Sequence, residues 1–578
     1  MVSTTQILEF NVAFPDEIPM EPEEYLKGGS RQIILTAAVY FLATSRTKSK
    51  LYDNKYFLEM FFCKENKEFA LSIWQIIKEI EKKGQEVRII NSFSSLSLFE
   101  LFFSKDEEPE TQTHSEFEVN LFKAYLVLNS RYIKKQEIAL ASSEKLEVDM
   151  RVPMMMLCTD YPVADKNRYD IGQIWVTQLV KAVYLFQFFE SNDKTKVLLK
   201  EFLKFFNKAT WKEYLKCFLS LTLAIVTTCD NEETYIDISI DSENFDADCY
   251  FLEKFTIEIK DDLNEFDFLT IRSKPFYKIE TGKYRIIFDL FVVEKIHKSI
   301  YFLFRDINEK TQKELKIKDF KSFYGKEFSE KILTYKVVDC IFPGKCIKYS
   351  GQELENKKIE GMTDYYIRKG KNILLFESKD FLIRADKKLS FDYEIYKEEF
   401  RRILYYTKES NGKESPKAVM QLINSIEKIL RSEFKADKDY KYKEVNIYPI
   451  LLTHDQQFEA FGFNYLLNDW FKFELEQLKN DGLFIHKVRP LTVINIDSLI
   501  FHQMGLIEII TLHDLIDKYI SEQLAVRTKK IFKTFNELQD FCMSKYNPFS
   551  IFITNYFINI KYKKYPPILD IIETNLFS

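Results

Sequence analysis

TDYYIRKGKNILLFESKDF, residues 363–381, has an acid at its second position, turns through a glycine, and carries a run of Ile, Leu, Leu and Phe into Glu-Ser-Lys. Burying an ion without a partner costs several kcal/mol, so charges at the end of so apolar a run need a reason. Gly370-Lys371 fits the two central positions of a type II′ turn, which takes Gly first. Lys369 then pairs with Asn372, and the same register counted outward sets Asp364 opposite Glu377. Directly opposed residues have Cβ atoms about 4.5–5.5 Å apart. Two carboxylates that close repel unless a cation lies between them or one takes up a proton. Alternation along the strand adds Lys379 to the face of Glu377 and turns Phe376 and Ser378 to the other. Oxygen ligands of this kind suit Mg2+ or Mn2+ rather than zinc. A lysine beside them can orient or deprotonate a water and offset charge growing on a phosphate. The bland alternative, a solvated Asp364–Lys379 ion pair at a sheet edge, leaves the facing Glu377 without a reason.

The 578 residues, 46% hydrophobic and 30% charged, have the balance of a soluble globular chain rather than a disordered one. That length allows about two to four domains. The 53 Phe and 33 Tyr against 14 Gly predict large aromatic cores and few tight loops. A net charge of −5 and a pI of about 6.0 exclude attraction of the whole chain to nucleic acid, so such contact needs a local basic surface. The eight Cys contain no Cys-x-x-Cys pair and the six His no zinc-like spacing, so buried thiols in a reducing cytoplasm are expected. Glu9, Asp16 and Glu17 stand where a signal peptide would be basic and then apolar. The longest apolar stretch, Cys217 to Val226, falls short of the roughly 20 residues of a membrane helix. It reads as a core helix, with no membrane contact.

Apolar spacing of three and four in 34–45 and 67–85 predicts an α-rich module over 1–150. Residues 105–116 read as an acidic exposed loop, 149–170 as a break in the helical pattern, and 174–189 and 211–226 as helices. From Thr234 the period shifts toward two. Segments 234–241, 254–261, 284–293 and 298–307 read as strands, the third with some helix ambiguity, which makes 151–319 a mixed α+β module. Residues 320–515 have their own order: helix 322–336, strand 337–342, the hairpin, a helix with Ser415 as N-cap and Pro416 at its first position, then strands 445–455 and 491–497 separated by helix 463–480. Helix, three strands, helix, strand is an α/β layer arrangement. Residues 516–578 read as a helical and strand tail.

Asp364 followed by Glu377-Ser378-Lys379 resembles the D…ExK core of the PD-(D/E)xK nuclease superfamily, and the element order over roughly 320–500 is similar to that superfamily's. The resemblance covers under half the chain. Glu-x-Lys alone carries nothing, since it recurs at Glu65/Lys67, Glu81/Lys83, Glu258/Lys260 and Glu355/Lys357; the place of 377/379 on a strand paired to an acid distinguishes it. The resemblance implies a restriction-endonuclease-like domain behind a large α-rich and mixed N-terminal region, hydrolysing phosphodiester bonds with Mg2+ or Mn2+. Asp364, Glu377, the Ser378 backbone carbonyl and Glu330 would hold the metal, and Lys379 would serve the attacking water. Gln421, in KAVMQLINSI, is similar to the glutamine on the helix after ExK in RecB-like members. Many members show Phe-Glu adjacent on the first helix. Here Ser329 follows Phe328, which leaves Glu330 and Glu327 as rival acids, and an α-helical wheel turns Glu330 away from the Phe328/Ile332/Tyr335 face.

DNA is favoured over RNA because the superfamily mostly cuts DNA. Residues 1–319 are expected to recognise a substrate, a protein partner or a second copy. By analogy with nucleases joined to large sensor regions, the expected setting is bacterial antiviral defence. The rival is a non-catalytic scaffold that keeps the fold, against which the retained opposed carboxylates count. Gln421 has a plain alternative as a capped polar residue in the core. His454-Asp455 ends a buried strand, where α/β sheets often place functional groups, but with no third partner in view a loop histidine is the simpler reading. DKDYKYKE (437–444) and NIKYKKYPP (559–567) offer basic and aromatic groups to a phosphate backbone, with a solvated face as the default.

Overall fold

Five strands, β1 (Ile347–Ser350), β2 (Tyr365–Lys369), β3 (Asn372–Lys379), β4 (Asn446–Thr453) and β5 (Thr492–Asn495), form one mixed sheet in the order β5-β4-β3-β2-β1. β1, β2 and β3 run antiparallel in sequence, whereas β4 lies parallel to both β3 and β5. β3 is central, and its Ile373, Leu374, Leu375 and Phe376 are fully buried. This explains an apolar run without alternation, since a strand covered on both faces has no polar side. Gly370 has φ +60 and Lys371 lies outside the positive-φ residues, as a type II′ turn requires. Lys369 pairs with Asn372 and Tyr365 with Phe376, the register expected from the sequence.

This computed structural model describes residues 5–43, 53–106, 108–228, 235–241, 243–259, 261, 263, 266–408, 414–524, 537, 541, 544–567 and 569. Parts of the expected 105–116 loop, the 234–241 and 254–261 strands and the 516–578 tail fall outside them. Three helices build the surroundings of the sheet: α1 (Ile171–Ser191), α2 (Ala418–Leu430) and α3 (Phe463–Asn480). α2 packs on β3 and β4, and α3 packs on α2 and β5. α1, from far earlier in the chain, packs on a π-helix over Tyr324–Thr334 and on α4 (Ile496–Phe501). The strands at Asp237–Ser239, Phe276–Glu280 and Lys283–Ile286 form a separate three-stranded sheet. One apolar core, from Leu8 to Phe557, runs through all these parts.

Several expected elements are corrected. Residues 337–342 are not a strand: the π-helix continues as α-helix Tyr335–Ile341, and the first strand is β1. Residues 298–307 fall mostly in a helix, Ile300–Lys310, whose Ile300, Phe304 and Asn308 are buried at a spacing of four. The strand at 284–293 stops at Ile286 and gives way to helix Asp289–Val293, and the described residues of 254–261 hold only an isolated bridge at Thr256. Residues 149–170 break the helical pattern only in their second half: Val148–Asp160 is helical with Pro153 inside, and the chain leaves helix at 161–163 and again at 168–170. Ser415 and Pro416 pair with Thr407 and Tyr406 in a small ribbon, so the helix begins at Ala418 with no side-chain cap. Among the described cysteines only Cys158 is buried, and Cys340 is exposed. Among the described residues no helix is long and apolar enough to cross a membrane.

A charge network lies in the interior and joins segments far apart in the chain. Lys388 bridges Asp165 (3.0 Å) and Asp267 (2.9 Å), and Lys166 reaches Asp267 at 2.6 Å. Arg272 bonds Asp165 at 2.7 Å and approaches Glu294 at 3.5 Å. Lys298 joins Glu294 (3.0 Å) to Asp455 (3.1 Å). Four cations meet four acids, and most of these side chains are buried, so the network is close to neutral. Burial works against the Asp165 and Asp267 carboxylates, but the surrounding cations outweigh it and hold both well below the usual carboxylate range.

Candidate active site

Asp364 sits one residue before β2, where the β2–β3 register carried outward sets it against Glu377. Its side chain replaces a ladder partner: Asp364 Oδ2 accepts the Ser378 N–H at 2.8 Å. The Asp364 carbonyl accepts the Gly351 N–H at 2.7 Å. A Cβ on Gly351 would stand 3.2 Å from that oxygen, so glycine suits the close approach. Glu377 is 0% exposed; Lys379 Nζ lies 2.7 Å from its Oε1, while Oε2 has no hydrogen-bond partner. The Lys379 side chain keeps 27% exposure, and Asp364 and Glu330 are half-buried, so the group opens to solvent on their side.

The first helix is where the sequence reading changes most. An α-helical wheel turns Glu330 outward, but Tyr324–Thr334 is a π-helix, whose i→i+5 bonding brings residues five apart toward one face. Tyr335 Oη accordingly donates to Glu330 Oε1 at 3.2 Å. Burial first, and then Asp364, push the Glu330 carboxyl up to about 7. Glu327 pairs instead with Lys331 at 2.8 Å. Of the two rival acids, Glu330 is the one brought to the hairpin.

Electrostatics show how tightly these groups sense one another. Burial, then Asp364, raise Glu377 to about 8 against the pull of Lys379. Burial raises Asp364 as well, with Lys379 opposing. Burial also works against the Lys379 charge, but Glu377 and Asp364 outweigh it and raise that ammonium's pKa. Three acids and one base thus share a site in which charge is scarce. Strongly perturbed pKa values cluster at functional sites, and structural ion-pair networks such as the one around Lys388 show them as well.

The donor set fits a hard cation. A buried carboxylate oxygen without a partner is a group that a cation would satisfy, and every candidate donor is oxygen. Among the described residues no three His, Cys, Asp or Glu side chains lie close enough to hold an ion alone. Mg2+ commonly takes one or two carboxylates and completes its sphere with water and phosphate oxygens, so Asp364 and Glu377 suffice as protein ligands. Asp364→Asn removes one of the charges facing Glu377. It is expected to stabilise the metal-free protein by about 1–2 kcal/mol, read from denaturant midpoints, and to remove stabilisation by Mn2+. A merely surface ion cluster would shift by about 0.5 kcal/mol or less.

The other expected residues are placed less uniformly. Gln421 lies half-buried on α2, and among the described residues no side-chain hydrogen bond ties it to the carboxylates. Ser378 turns its hydroxyl to Thr334 Oγ1 (3.0 Å) and His454 Nε2 (2.8 Å). His454 therefore has the partner that the sequence did not reveal, and burial lowers its imidazole to about 4. In DKDYKYKE, Asp437 pairs with Arg368, and Lys441 with Glu444 at 3.2 Å. In NIKYKKYPP, Lys564 pairs with Glu508 at 2.8 Å. Thr334 and Ser329 were missed; hydroxyls on a helix carry no signal until the strand end they meet is known. No family model, curated protein or solved structure matches this chain.

Proposed function

We propose that the protein is a metal-dependent nuclease of PD-(D/E)xK type that hydrolyses phosphodiester bonds, with DNA the favoured substrate. One observation carries the reading: Asp364, Glu377, Lys379 and Glu330 meet at the end of a buried hairpin, with a Glu377 oxygen left unpartnered in the interior. The element order supports it, with a helix before β1, β2 and β3, then α2 and β4. A divalent ion held by Asp364 and Glu377, with the Ser378 carbonyl as a further oxygen donor and Glu330 reaching it through a bound water, would offset phosphate charge and acidify a water. Lys379, charged and half-open to solvent, holds that water toward the phosphate and steadies charge developing on the phosphoryl oxygens. Glu377 and then Asp364 keep Lys379 protonated, and Asp364 braces the strand through the Ser378 amide. Residues 1–319 supply recognition of a substrate, a partner or a second copy, in a setting we place in antiviral defence.

The test is plasmid nicking by the full-length protein with Mg2+, Mn2+ or EDTA, beside Lys379→Ala. Wild type should cut only with metal. Lys379→Ala should lose turnover by at least about 100-fold while keeping most of its Mn2+-induced stabilisation, because the lysine acts on water rather than on the ion. A Lys379→Ala protein that cuts at the wild-type rate would sink the assigned roles.

A further inference from the structure

We infer that Thr334 and His454 are positioning residues for the carboxylate site, joined through Ser378 in a hydrogen-bond chain that runs one way and fixes the π-helix carrying Glu330 to the strand carrying Glu377 and Lys379. Its effect on turnover rests on the nuclease reading above; its direction does not.

Three contacts make the chain. His454 Nε2 and Ser378 Oγ lie 2.8 Å apart, Ser378 Oγ and Thr334 Oγ1 3.0 Å apart, and Thr334 Oγ1 reaches the Ser329 carbonyl at 2.9 Å. A backbone carbonyl only accepts, and a hydroxyl has one hydrogen to give. Thr334 is fully buried; were its hydrogen turned to Ser378, two oxygens would face each other at 2.9 Å with no proton between them. Thr334 therefore donates to Ser329 and must accept from Ser378. Ser378, its hydrogen spent, must accept from His454. The neutral imidazole then carries its proton on Nε2.

Both ends of the chain are anchored. Ser329 immediately precedes Glu330, and its own hydroxyl donates to Asp380 at 2.5 Å. The two neighbours of Lys379, Ser378 and Asp380, are thus held by Thr334 and Ser329 of the helix that carries Glu330. At the other end the His454 carbonyl accepts Lys181 Nζ at 3.3 Å. Lys181 is buried on α1 and ion-paired with Asp497 beyond β5. A shift of α1 would reach the carboxylates by this route, so the chain gives residues 1–319 a physical hold on the site. Groups that orient ligands from behind typically carry about 10–100-fold in metal affinity or activity.

The experiment has two arms, both on the full-length protein. In the first, 15N-histidine NMR at neutral pH, with the His454 signal assigned by loss in His454→Gln, should show the Nε2–H tautomer. An Nδ1–H tautomer overturns the chain whether or not the protein cuts DNA. In the second, Thr334→Val and Thr334→Ser are compared for the Mn2+ midpoint and for kcat and KM on plasmid. Thr334→Val should weaken Mn2+ binding or kcat by about 10–100-fold with KM within about threefold, and Thr334→Ser should recover to within about threefold of wild type. Thr334→Val matching wild type, or Thr334→Ser as impaired as Thr334→Val, overturns the positioning role. A wild type that neither binds Mn2+ nor cuts overturns the nuclease reading and the positioning role together, and leaves the tautomer to judge the chain.

Discussion

Lys388→Met is expected to cost the full-length protein about 3–5 kcal/mol of stability, the cost of leaving buried acids short of a cation. Lys388 lies between Asp165 and Asp267, and it is the cation that residues beyond 320 bring to the network. Methionine fills nearly the same volume, so the loss reads charge rather than packing. Asp165→Asn in the Lys388→Met background should recover part of the loss, because it removes one of the stranded charges. Because Lys298–Asp455 continues the network to the residue after His454, the destabilisation should appear in one transition rather than only in the later part of the chain. Guanidinium unfolding followed by fluorescence and by far-UV circular dichroism checks both points. A Lys388→Met shift below about 1 kcal/mol would mean that water reaches these charges.

Without metal, the protein should lose stability as pH rises from about 5 to 8. Glu377 titrates near 8 in the folded state against an ordinary 4.5, so the folded chain keeps a proton that the unfolded chain gives up. Stability from that difference is fully present below the unfolded value and is lost as pH climbs through the folded one. The shift corresponds to something on the order of 3–5 kcal/mol, and Glu330, raised to about 7, acts in the same direction. Glu377→Gln keeps the shape of the neutral acid and should flatten the slope. Mn2+ favours the deprotonated carboxylates, so its stabilising effect should grow across the same window. Melting temperatures at pH 5, 6.5 and 8, in EDTA and in Mn2+, decide the matter. Parallel pH profiles for wild type and Glu377→Gln would remove Glu377 from the account.

The hairpin was legible because its information is local: Gly370 sets the turn, the turn sets the register, and the register places Asp364 before Glu377. Glu330 was legible only as an acid near the right place. Its orientation depends on a π-helix, and residue types do not announce i→i+5 bonding, since an α-helical wheel drawn on the same letters turns the side chain outward. Short apolar runs misled in both directions. Val337, Val338 and Ile341 read as a strand yet continue the helix, and Ile300 and Phe304 show the helical spacing of four within a segment read at period two. Ser378–His454 and the network around Lys388 join residues 76 to 223 positions apart. Such pairs become visible only when the chain is folded.

That last separation has a consequence for how the protein is made. Asp165 leaves the ribosome 223 residues before Lys388. At roughly 5–20 residues per second, the wait lasts about 11–45 s. Arg272 arrives about midway and Asp455 later still, so the interior around Asp165 and Asp267 cannot close on its full set of partners while the first half of the chain is alone. Its many aromatic side chains stay uncovered for that interval. Nascent chains of this protein should therefore hold general chaperones until synthesis passes residue 388, and slow codons placed before that point should lower the yield of folded protein more than slow codons placed after Asp455.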